Sequence, residues 1–74
     1  MTGQELKAIR HALGLTVLEF ARALGYAGND NTNSVLIRQM QDGRKPVPPR
    51  TARLATMYHR HGVPPHWTIS ETAD

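Results

Sequence analysis

The chain has 74 residues, 39% of them hydrophobic, and nine Lys/Arg against six Asp/Glu give a formal charge of +3. That is one small domain with an aliphatic core, too apolar for a disordered chain. There is no cysteine, which excludes disulfides and thiolate metal sites and sets the expectation of an intracellular, cytoplasmic protein.

No apolar run approaches the roughly 20 residues of a membrane span, and the opening Met-Thr-Gly-Gln-Glu-Leu-Lys has no signal-peptide pattern. All nine cations lie within residues 1–60, whereas Glu71 and Asp74 sit in the tail. A basic body with a mildly acidic tail suits a polyanionic partner.

Helix signals follow in order. Thr2 and Glu5 have capping-box spacing, and Leu6, Ile9 and Leu13 form one apolar face that Gly14 terminates. Thr16 and Glu19 repeat the spacing ahead of Phe20, Ala23 and Leu24, giving a second helix of about nine residues closed by Gly25. An amide-rich stretch follows. Val35, Leu36, Ile37 and Met40 then mark a third helix, capped by Asn31, Thr32 or Asn33 and stopped by Gly43. Arg44-Lys45-Pro46-Val47-Pro48-Pro49 is a stiff connector, with Pro48 or Pro49 in the first turn of a fourth helix. In that helix Ala52, Leu54, Ala55 and Tyr58 face inward, up to Gly62. The tail beyond it has no periodicity. The expected organisation is a domain over 1–62 and a tail over 63–74.

The order of these motifs resembles the Cro/C1-type helix-turn-helix family of DNA-binding regulators. Arg10, Gly14, Leu15, Thr16, Glu19, Phe20 and Ala21 match its opening pattern. Ile37, Arg38, Gln39, Met40, Gln41, Asp42 and Gly43 match its later one, and Arg44-Lys45-Pro46 matches its basic exit loop. The resemblance spans about residues 4–60. It implies an all-α bundle of four or five helices of the lambda-repressor-like type, whose third helix enters the DNA major groove.

The resemblance implies base reading by Asn33, Ser34, Val35, Arg38 and Gln39. Arg suits guanine, Gln suits adenine, and Val suits a thymine methyl. Thr16, at a helix N-terminus, is placed for a phosphate, as are Arg44 and Lys45 in the exit loop. Val17, Asn29, Asn31 and Thr32 form the DNA lead-in. Val17 stands where the family often has a backbone-contacting Gln, so that contact is lost. Gln41 stands where the family often has an acid bridged to the first-helix Arg, which leaves Arg10 to use Gln41, Glu19 or water. The stretch over 26–34 is longer than usual and is either a polar loop or an N-terminal extension of the reading helix.

Plainer readings compete with these. Arg44 and Lys45 could simply complement a helix C-terminus. Val35 could belong to the core. Trp67 could pack on its own domain or on a second subunit. His59, His61 and His66 do not converge with an acid or thiolate as a metal set requires. The Ser residues and carboxylates form no nucleophile–base pattern, so no enzyme, cofactor or small-molecule ligand is expected. The functional expectation is a homodimeric repressor on double-stranded DNA. The alternative is an antitoxin-like or adaptor module whose partner is another protein.

Overall fold

Thr2 and Thr16 each cap a helix. In both, the Thr hydroxyl oxygen accepts from the Glu backbone N–H three residues on, and that Glu carboxylate accepts from the Thr backbone N–H. Two otherwise orphaned donors are satisfied at each start, so both helices begin where the local sequence dictates. The computed structural model describes residues 1–68. It comprises α1 Gly3–Leu13, α2 Val17–Ala23, α3 Asp30–Gln41, α4 Pro49–His61 and a terminal 3-10 turn, Pro65–Thr68. No strand occurs among the described residues. None of their helices is long and apolar enough to cross a membrane.

The helices bury one stripe each. Leu6 comes from α1, Phe20, Ala21 and Ala23 from α2, Ile37 and Met40 from α3, and Ala55 and Tyr58 from α4. Ala52 and Leu54 are half-buried at the edge of the α4 stripe. α1 packs against both α3 and α4, while α2 packs against α3 and the terminal turn. Tyr58 reaches across the core and donates its hydroxyl to the Ala23 carbonyl at the end of α2. Burial pushes its phenol above the ordinary range. Val63 packs against the core and the 3-10 turn against α2, so residues 63–68 sit on the bundle. Residues 69–74, with the acidic Glu71 and Asp74, lie outside the described part.

Two boundaries differ from expectation. α2 spans seven residues, not about nine. α3 begins at Asp30 with Asn29 as its cap, so Asn31, Thr32 and Asn33 lie inside the helix instead of capping it. The Asn29 side-chain oxygen accepts from the backbone N–H groups of Asn31 at 2.8 Å and Thr32 at 3.2 Å. Residues 30–34 therefore belong to the first turns of α3, and residues 24–29 form the connection from α2.

Arg10 joins α1 to its neighbours. Its Nε donates to Gln41 Oε1 at 2.9 Å, at the end of α3, and one terminal nitrogen donates to the Leu15 carbonyl at 2.9 Å, just ahead of α2. Of the three partners considered, Gln41 is the one used.

α1 and α3 also meet at Gly3. A Cβ at that position would collide with the backbone carbonyl oxygens of Met40 and Gln41. Helix propensity alone would make Gly3→Ala stabilising by up to about 1 kcal/mol. Backbone cannot yield as a side chain can, so the contact dictates the opposite sign. Gly3→Ala is expected to lower unfolding stability by about 1–3 kcal/mol, measured by urea denaturation; a gain in stability would show that α1 does not approach α3 this closely.

Candidate nucleic-acid interface

α3 turns about 100° per residue. Asn33, Ile37 and Met40 fall on its buried side. Asn31, Thr32, Val35, Arg38 and Gln39 fall on the opposite side. Asn31, Thr32, Val35 and Arg38 are exposed there, and Gln39 is half-buried. Ser34 is half-buried at the border between the two sides. A helix of 12 residues is about 18 Å long, and this one carries an amide, a hydroxyl, a branched apolar group, a guanidinium and a second amide on one outward stripe. Val35 is 42% exposed, so it belongs to that stripe and not to the core.

Asn33 is not on it. The sequence suggests a base contact, but Asn33 is only 7% exposed. Its side-chain amide donates to the carbonyls of Tyr26 at 3.4 Å and Ala27 at 3.3 Å. It clasps the connection between α2 and α3 onto the first turn of α3. Tyr26 is pinned a second time, its hydroxyl sharing a 2.8 Å hydrogen bond with Thr51 of α4. The connection is thus tied to α3 and to α4.

Asn29 is the α3 cap, so its side-chain oxygen is committed to backbone N–H groups. Val17 is half-buried and packs against the core, which removes it from the lead-in surface. Thr16 is exposed, and its hydroxyl oxygen already accepts from Glu19 N–H. The Glu19 carboxylate takes the Thr16 N–H, and this backbone bond, with the Thr16 hydroxyl, holds the carboxyl below its ordinary value of 4.5.

Arg44 and Lys45 are exposed and close to the stripe. Their backbone N–H groups both donate to the Gln39 carbonyl, at 2.9 and 3.2 Å. The chain after Gly43 therefore folds back on the last turn of α3. The cations occupy a set position next to Gln39 instead of trailing away from it.

The Arg22–Asp30 ion pair has no counterpart among the sequence expectations. Arg22 on α2 meets the Asp30 carboxylate at the start of α3 at 2.9 Å, and it also donates to the Thr68 carbonyl at 3.4 Å. A spacing of eight residues across a turn has no local signature, though an acid in the first helical turn fits the helix dipole. Trp67 lies in the 3-10 turn. Its ring meets Tyr58 edge-on at 6.1 Å, and it is 44% exposed. His59, His61 and His66 belong to no group of three potential metal ligands among the described residues.

The chain matches no protein-family model, no curated protein and no solved structure.

The clasp and the outward stripe make different demands. Asn33→Ala leaves two carbonyls without their donor and is expected to cost about 1–2 kcal/mol of stability. Asn31→Ala, at an exposed position, should stay within about 0.5 kcal/mol of the parent. Thermal or urea unfolding of the two variants side by side measures this; equal effects would mean that Asn33 does not hold the connection.

Proposed function

We propose that this protein is a sequence-specific DNA-binding transcriptional regulator of Cro/C1 type, a repressor that acts as a homodimer on an inverted-repeat operator. The observation that carries the reading is the composition of the α3 outward stripe. Asn31, Thr32, Val35, Arg38 and Gln39 are groups that match base edges in the major groove, and the exposed Arg44 and Lys45 flank them where a phosphate strand would run. α3 reads, and the loop after it holds. Ser34 reaches the groove edge, and Thr16 meets a phosphate on the adjoining strand.

Dimerisation is part of the same proposal. A domain of this size covers one half-site, and specific affinity usually comes from two. The half-exposed Trp67 ring, anchored on Tyr58, is the contact we assign to the partner copy. An adaptor reading asks for an apolar patch on α3. Val35 is its only exposed large apolar residue, which favours DNA over a protein partner on this face.

Reading and holding fail differently. Arg38→Ala or Gln39→Ala is expected to lose about 1–3 kcal/mol of preference for the selected sequence while binding random duplex nearly as before. Arg44→Ala or Lys45→Ala should weaken all sequences alike and make the slope of log affinity against log salt shallower by about one unit. The measurement is affinity for a duplex selected from a random pool, and for its scrambled version, at several salt concentrations. Unchanged preference in both the Arg38 and Gln39 variants would remove α3 as the reader.

A further inference from the structure

α4 carries a second charged surface that the reading above does not use. Between Asp42 and Glu71 the sequence has no Asp or Glu, yet it has Arg44, Lys45, Arg50, Arg53 and Arg60. At about 100° per residue, Arg50, Arg53, Met57 and Arg60 fall in one stripe, on the opposite side of α4 from its buried Thr51, Ala55 and Tyr58. All three arginines are exposed. The ion pair among the described residues is the one between Arg22 and Asp30, on other helices. α4 turns its inward side to the end of α2 and the α2–α3 connection through Tyr58 and Thr51, α3 turns its own inward side to the same connection through Asn33, and each outward stripe faces away from that shared centre.

We propose that this face of α4 is a second, sequence-independent site for the phosphate backbone of duplex DNA, so that a protein seated on one duplex through α3 holds another through α4. Arg50 to Arg60 spans about 15 Å of helix, enough to follow several phosphates of one strand. Arginine forks suit phosphate oxygens. The stripe has no amide or hydroxyl that would read a base. Its single apolar residue, Met57, is 46% exposed between arginines. A protein-binding surface would have a core depleted of charge, so the composition favours a polyanion. An α4-to-α4 contact between two copies would set these arginines against one another. The α4 site itself does not depend on α3 being the reader, while the joining of two duplexes rests on that reading.

The test uses the full chain. A labelled duplex carrying the selected sequence is saturated with protein, which occupies the α3 faces. The complex is then offered to an immobilised duplex of scrambled sequence at low salt, about 50 mM. The intact protein should be captured. The Arg53→Gln/Arg60→Gln double variant should be captured at least about five-fold less, with its affinity for the selected duplex in solution within about two-fold of the parent. Equal capture of the two proteins overturns the proposal. So does a stripe that binds poly-glutamate but no duplex, since its partner is then an acidic protein. If selection enriches no sequence, the second arm uses scrambled duplex alone. In an Arg38→Ala/Arg44→Ala/Lys45→Ala background, the remaining salt-dependent binding should vanish when Arg53→Gln and Arg60→Gln are added. Residual binding that those two changes do not touch contradicts the α4 site whatever α3 does. Melting temperatures of all variants exclude loss of fold as the cause.

Discussion

Arg10 ties α1 both to the end of α3 and to the turn ahead of α2. It leaves α1, grips Gln41 at the end of α3 and also holds the Leu15 carbonyl just before α2. A guanidinium presents its donors in a rigid fork, so the two bonds fix direction as well as distance. With the close approach of Gly3 to the last carbonyls of α3, they lock the C-terminal end of α3 against α1. The other end of α3 is held by Asn33, by the Asn29 cap and by the Arg22–Asp30 pair. Both ends are therefore fixed by polar contacts at the bundle edge, and the middle is fixed by Ile37 and Met40 in the core. What is left over is a single outward stripe held on a rigid element, the condition a recognition surface has to meet.

The neutral Gln41 has a physical consequence. The partner of the Arg10 guanidinium supplies a dipole and not an opposing charge. The bond is then weaker than an ion pair, and no second carboxylate joins Asp42 at the end of α3 beside Arg44 and Lys45. Glu5 and Glu19 are likewise tied to the capping boxes, and Asp30 is tied to Arg22. Three of the four acids in the described residues are thus committed locally, while most of the cations stay open to solvent. The positive character of the surface comes from this arrangement as much as from the net charge.

Much of the fold was legible in the sequence because its signals are local. Thr2 with Glu5 and Thr16 with Glu19 are each read within four residues, and Gly14 ends α1 with a φ of 71°, which a side chain resists. Arg38 and Gln39 were named for the α3 surface by the resemblance to Cro/C1-type regulators, whereas helical period left Val35 open between core and surface. The start of α3 was not legible. Asn29, Asn31, Thr32 and Asn33 are all competent caps, so local chemistry does not choose among them. The choice falls to a tertiary contact, the reach of Asn33 back to Tyr26 and Ala27. The same contact removes Asn33 from the reading surface, so one unseen interaction accounts for both differences. The Arg22–Asp30 pair and the edge-on packing of Trp67 on Tyr58 depend on how distant segments meet, which periodicity does not encode.

The central claim is that the outward stripe of α3 is what meets DNA, and backbone amide NMR of the intact protein titrated with the selected duplex tests it most directly. The account predicts that the largest shift changes fall on Asn31, Thr32, Val35, Arg38 and Gln39, continuing into Arg44 and Lys45, while Leu6 and Ile9 in α1 change little. A footprint centred on the groove between α1 and the end of α3, around Gln4, Lys7 and His11, with α3 itself unperturbed, would contradict it.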